Sequence, residues 1–121
     1  NNTCIRRFKT NASMRDFDKI IWRDALTYVD FFAMWCRPCL LMFPIVDKFQ
    51  QQMKGRVDVY KIDIESAEDA DIIQRYNILS VPTSLFFRHG EILWRGSGLM
   101  SFEQLRGVVV ELEQQACIGV D

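Results

Sequence analysis

Apolar positions along this chain switch between a helical and an alternating period, and the switches mark its elements. Phe17, Ile20 and Ile21 recur at helical spacing behind Ser13 and Asp16, a pair resembling a capping box with Asp for Glu or Gln, so a short helix is predicted over 13–22. Residues 26–33 are β-rich and nearly continuously apolar, as in a strand buried on both faces, but Asp30 interrupts them. Over 40–53, Phe43, Val46, Phe49 and Met53 follow spacings of three and four; Pro44 is expected to kink this helix and Gly55 to end it. Residues 57–63 alternate as a strand, and Ser66 is placed to cap a third helix with Ile72, Ile73 and Tyr76 facing inward. Two apolar runs, 85–87 and 92–94, flank Arg88, His89, Gly90 and Glu91 as a β-hairpin. A last helix starts at Ser101 with Glu103 in its first turn and Phe102, Leu105, Val109 and Leu112 on one face.

With a short edge strand at 5–8, the order is (β)αβαβαββα. Two strand–helix–strand units imply a parallel part and the closing hairpin an antiparallel one. The expected class is α/β, a single central mixed sheet flanked by helices on both faces.

Composition narrows the function. The chain has 121 residues, 49% of them hydrophobic, and a formal net charge of −1, as in a soluble globular protein with no basic footprint for nucleic acid. We read 1–121 as one domain, with 1–12 as an N-terminal extension and 13–115 as the core. No apolar run approaches the roughly 18–20 residues of a membrane span. A cytoplasmic location is expected, with the periplasm after removal of a signal peptide as the alternative. Asn1-Asn2-Thr3 and Asn11-Ala12-Ser13 fit a glycosylation pattern too short to carry weight, and Cys4 and Cys117 read as passive thiols.

The chemistry concentrates in Trp35-Cys36-Arg37-Pro38-Cys39. Two cysteines three apart in the first turn of a helix share a face, their Cα atoms roughly 5–6 Å apart, inside the window for a disulfide. At a helix N-terminus, unpaired N–H groups and the helix dipole favour a thiolate on Cys36, and Arg37 adds a positive charge. Pro38 fits the first turn, where its missing N–H costs little. Cys39, a turn deeper, is expected to be more buried and less easily ionised. A pair of core cysteines or half of a zinc site are the other readings of C-x-x-C, but a strand before it and a helix after it favour redox chemistry. Zinc wants a second ligand pair, and only Cys4, Cys117 and His89 remain, so no metal and no cofactor are expected. Asp30 is costly inside a strand unless neutral or partnered. His89 reads as a solvated turn residue, and Trp22 and Trp94 as packing groups.

Val29-Asp30-Phe31, Trp35-Cys36, Pro38-Cys39, Pro44, Lys61, Val81-Pro82-Thr83, Gly90 and Gly98, in this order, resemble the thioredoxin family from about residue 16 to 112. The resemblance implies the thioredoxin fold and a protein disulfide reductase. Cys36 would attack a substrate disulfide and Cys39 resolve the mixed disulfide, leaving the two oxidised. Asp30 would exchange a proton with Cys39, with Lys61 as its charge partner. Pro82 would be cis and face the disulfide, Val81 would pair through its backbone with extended substrate, and Trp35 and Gly98 would line the docking groove beside Arg37 and Pro38. The implied partners are disulfide-containing proteins and a thioredoxin reductase or other electron donor, with the chain a monomer.

Several positions depart from the family pattern. Arg37 stands where Gly is typical and should make the pair somewhat more oxidising. Leu40 replaces the usual lysine after the second cysteine. Phe32 and Met34, with Trp35 and Leu40, are candidates for an apolar rim that binds partners. A disulfide oxidase or isomerase is therefore the alternative within the same chemistry, and a non-catalytic binding module the alternative outside it.

Overall fold

The structure, a computed structural model, describes residues 14–115. The expected strand at 5–8, the cap at Ser13, the glycosylation patterns, Cys4 and Cys117 lie outside the described residues. The order within them is α1 (Met14–Ile21), β1 (Leu26–Phe32), α2 (Arg37–Gln52), β2 (Val57–Asp63), a short 3-10 turn (Ala67–Asp69), α3 (Ala70–Arg75), β3 (Thr83–Arg88), β4 (Glu91–Ser97) and α4 (Phe102–Gln115).

A strand apolar on both sides belongs in the middle of a sheet, and β1 is buried along nearly all its length. The sheet runs β2-β1-β3-β4, with β1 and β2 parallel and the other two pairs antiparallel. This is the expected mixed sheet with its closing hairpin. One parallel pair is present among the described residues; the other expected unit would need the strand at 5–8. β4 forms an edge, and its exposed Glu91 and Arg95 suit a strand with one open side.

Alternation along β1 and β3 divides the core in two. On one face Tyr28 and Phe86 pack with Met42, Val46 and Phe49 of α2 and Leu105, Val109 and Leu112 of α4. On the other, Val29, Phe31, Leu85 and Phe87 meet Phe17 and Ile21 of α1 and Ile72 of α3. Helices thus cover both faces, as their stripes require.

Local chemistry sets the boundaries. α4 begins with a reciprocal capping box: Gln104 N–H donates to Ser101 Oγ (3.1 Å) and Ser101 N–H to Gln104 Oε1 (2.8 Å). Ser66 stands at the start of the 3-10 turn, but its side chain makes no capping bond, contrary to the capping role expected of it. α2 starts at Arg37, before its periodic stripe, and runs through Pro44, which lies on its exposed side. Met42 takes the fully buried position there, while Phe43 is half-buried. Past the helix end, Gly55 adopts φ +87°, a conformation natural to glycine.

Candidate active site

The site forms where the end of β1 meets the start of α2. Cys36 N–H donates to the Ala33 carbonyl (3.1 Å), which turns the chain into the helix. Cys36 takes the N-cap position in extended backbone, with Pro38 in the first turn. One of the amides that a helix N-terminus leaves unpaired finds its partner here, since Cys39 N–H donates to Cys36 Sγ (3.2 Å).

Cys36 and Cys39 are joined as a disulfide with their Cα atoms 5.2 Å apart. Their environments differ as the spacing implies: Cys36 is 5% exposed and Cys39 fully buried. A thiolate on Cys36 would keep the Cys39 amide as donor and lie at the positive end of the α2 dipole, whereas Cys39 has Ala33 and the partly buried Phe32, Ile64 and Val81 for apolar surroundings. Arg37 and Pro38 are exposed beside Cys36.

Opposite the disulfide runs the loop before β3. The Val81–Pro82 peptide bond is cis, and the Val81 carbonyl oxygen lies 3.7 Å from Cys36 Sγ. Gly98 N–H donates to the Pro82 carbonyl (2.8 Å) at φ +95°, which glycine adopts without strain. Thr83 Oγ1 donates to the Ser80 carbonyl (2.7 Å), closing the loop on itself. Trp35 is 67% exposed, and its indole N–H donates to Glu65 Oε2 (2.7 Å). Met34, Leu40, Leu79 and Leu99 are also exposed in the segments that carry the site, so the rim is largely apolar. Phe32 is not part of it: its ring stands edge-on to Phe43 at 5.1 Å, half-buried under α2.

Asp30 is fully buried, between Tyr28 and Phe32 on the face of β1 that α2 covers, since the Tyr28 and Phe32 rings both pack on α2. Neither carboxyl oxygen has a hydrogen-bond partner among the described residues. Burial raises its pKa from 3.8 to about 6, against the opposing pull of the Lys61 charge. Lys61 is in register with Asp30 across the parallel β1–β2 pair, but its ammonium donates to Asp47 Oδ1 of α2 (3.2 Å) and lies 5.5 Å from the Phe43 ring centroid. Its charge therefore reaches Asp30 while its hydrogen bond goes to Asp47.

Residues read from the sequence as bystanders are packing groups with specific partners. His89 is half-buried rather than solvated, its Nε2 2.8 Å from Asp24 Oδ1. Trp94 packs edge-on to Phe86, and Trp22 lies where a side chain on Gly90 would fall. Among the described residues no group of three or more His, Cys, Asp or Glu side chains could hold a metal ion, and no helix is long and apolar enough to cross a membrane. The sequence reading passed over Glu65, Tyr28 and Ser84. The last two are fully buried polar groups whose only local signal is their period-two relation to Asp30 and Pro82.

The thioredoxin family model, described as "Thioredoxin", matches residues 9–111. Thioredoxin-1 of Saccharomyces cerevisiae is 37% identical over 87 residues, which cover 72% of this chain and 79% of the yeast protein. A thioredoxin of Rickettsia felis is 38% identical over 82 residues, covering 67% of this chain and 76% of that one. Among solved structures, chloroplastic thioredoxin z superposes with a TM-score of 0.72 at 29% identity, over 91% of this chain and 97% of its own.

Proposed function

The chain belongs to the thioredoxin family and is a thiol–disulfide oxidoreductase, and we propose that it works as a reductant of protein disulfides with Cys36 as the attacking sulfur. The observation that carries this reading is the inequality of the two sulfurs. Cys36 sits at the N-cap with a backbone amide aimed at its Sγ, and Cys39 lies fully buried behind it.

In the forward reaction the Cys36 thiolate attacks one sulfur of a substrate disulfide. That S–S bond breaks, the first substrate thiolate leaves, and a mixed disulfide to Cys36 forms. Cys39 then passes its thiol proton to the Asp30 carboxylate and attacks Cys36 Sγ. The Cys36–substrate bond breaks as Cys36–Cys39 forms, so the substrate gains two electrons and the pair loses them. Lys61 supplies positive charge near Asp30 and so favours the carboxylate that accepts the proton. The backbone at the half-buried Val81, with Pro82, Gly98, Trp35, Arg37 and Pro38, receives the substrate segment as an added extended strand. Thioredoxins act on disulfide substrates and are returned to the dithiol by reductase partners; a thioredoxin reductase or another dithiol donor would do so here, with the chain acting as a monomer.

Reduction of insulin by dithiothreitol, followed by turbidity, tests the activity: the wild-type chain should accelerate it and Cys36→Ser should abolish it. Cys39→Ser should instead accumulate a covalent mixed disulfide visible on a non-reducing gel. Equal rates for wild type and Cys36→Ser would overturn the reading in favour of a non-catalytic module.

One observation favours an oxidant or isomerase as the second reading. Arg37 stands exposed in the first turn beside Cys36, where a cation favours the thiolate and so the reduced pair. Equilibration with a glutathione buffer separates the two, since a potential near that of glutathione or above it marks an oxidant.

A further inference from the structure

The mechanism above uses Asp30 but leaves unexplained two other polar side chains that, among the described residues, are buried on the same face of the sheet. Tyr28 and Ser84 are each fully buried, and the Tyr28 hydroxyl lies 2.8 Å from Ser84 Oγ. Tyr28 precedes Asp30 by two residues and so shares its face, while Ser84 is the residue directly opposite Asp30 in the antiparallel β1–β3 register. Directly opposed residues have Cβ atoms about 4.5–5.5 Å apart, close enough for a seryl hydroxyl and a carboxyl group to meet by side-chain rotation alone.

We propose that Ser84 is a positioning residue for Asp30: its hydroxyl, held from behind by the Tyr28 phenol, donates its hydrogen to the carboxylate whenever Asp30 is ionised. This rests on the reading of Asp30 as the group that takes the Cys39 proton.

The chemistry of the three groups fits the role. A hydroxyl donates one hydrogen and accepts others at once, so Tyr28 O–H can donate to Ser84 Oγ while Ser84 O–H donates onward. Such a chain strengthens each of its bonds in a low-dielectric interior. While Asp30 is protonated, Tyr28 and Ser84 satisfy each other and the neutral acid is tolerated. Once it is ionised, a carboxylate with neither oxygen bonded would be costly, and the Ser84 hydroxyl is the donor facing it across the sheet. The phenol stays protonated, because burial and the nearby Asp30 charge both raise its pKa, so it keeps the hydrogen it donates to Ser84 Oγ. The charged and titratable groups coupled to Asp30 are Tyr28 on its own strand and Lys61 from β2, with Asp47 of α2 bonded to Lys61; the Cys36–Cys39 pair does not titrate while it is a disulfide. Lys61 supplies charge to the carboxylate while its ammonium is bonded to Asp47 on α2, and Ser84 is the hydroxyl in register with Asp30.

Titration of the Asp30 carboxyl carbon by NMR in the oxidised full chain tests this. Ser84→Ala should move its midpoint up by about one pH unit, the loss of a hydrogen bond to the charged form. Tyr28→Phe should move it the same way by less, and Ser84→Thr, which keeps the hydroxyl, should restore it. A Ser84→Ala midpoint that coincides with wild type overturns the proposal. If that variant does not fold, unchanged midpoints in Tyr28→Phe overturn it in its place. The role of Asp30 itself is read separately, from the pH profile of mixed-disulfide resolution in Asp30→Asn. A profile unchanged by that substitution removes Asp30 from the mechanism, while the Ser84 result still reports whether the hydroxyl serves the carboxylate.

Discussion

Lys61 faces Asp30 across two parallel strands, yet its ammonium is bonded to Asp47 on α2 at 3.2 Å. The buried acid is thus served by a cation that is itself shared, and the balance sets where Asp30 titrates. Lys61→Met removes the one charge that opposes burial, so the Asp30 pKa should rise above about 6 by roughly half a unit to one unit. Asp47→Asn should act the other way, since it removes a negative charge and releases Lys61. Carboxyl NMR titration reads both, and an unchanged or lowered midpoint in Lys61→Met would show that Lys61 does not act as an electrostatic partner.

The raised pKa also has a cost in stability that depends on pH. An acid whose pKa is about 6 in the folded chain and 3.8 in the unfolded chain binds its proton more tightly when folded. Its contribution is therefore complete below about pH 4 and is lost as pH rises through about 6, on the order of 3 kcal/mol for the two units. Asp30→Asn does not titrate, so the variant should gain on wild type across that window and hold the gain above it. Urea midpoints of both proteins between acidic and neutral pH give the comparison; parallel curves would show that Asp30 is not strained by burial.

Arg37 offers a test of the redox poise. Replacing it by Gly removes the cation beside Cys36 and with it some of the preference for the thiolate, so the pair should become more reducing. An exposed charge is worth under about 1 kcal/mol, and about 30 mV corresponds to 1.4 kcal/mol, so the fall should be roughly 10–20 mV. A potential equal to or above that of wild type, measured against glutathione, counts against a role for this guanidinium.

Two glycines should respond in opposite directions. Gly107 lies mid-helix in α4, and a Cβ there meets nothing within 4 Å, so Gly107→Ala should stabilise the chain by up to ~1 kcal/mol. At Gly90 the backbone has φ +82° and a Cβ would run into the Trp22 indole, so Gly90→Ala should destabilise it. Thermal unfolding of the two variants checks the pair.

The parts of this protein that could be read from its sequence are those whose signal is local. The apolar run around Val29 identifies the central strand because burial on both faces leaves no room for alternation. Cys36 and Cys39 declare their chemistry through spacing and a helix start. What could not be read depends on register. Tyr28 and Ser84 are 56 residues apart and meet only once β1 and β3 are aligned. The Asp24 partner of His89 and the Asp47 partner of Lys61 are likewise set by tertiary placement, and the sequence offered no reason to join them. Phe32 looked like a rim residue because an apolar side chain beside an active loop is ambiguous until the helix that covers it is in place.

The loop that faces the disulfide is fastened from several sides. Arg95 of the edge strand donates to the Tyr76 and Asn77 carbonyls just before it (2.8 and 2.7 Å), Ser80 accepts from Thr83, and Gly98 ties down Pro82. A receptor moulded in advance gives up little freedom at encounter, so the entropy of association falls on the visitor. Clients should then be ranked by how readily their own cystine-bearing segment straightens, and a locally unfolded client should outcompete a compact one carrying the same bond.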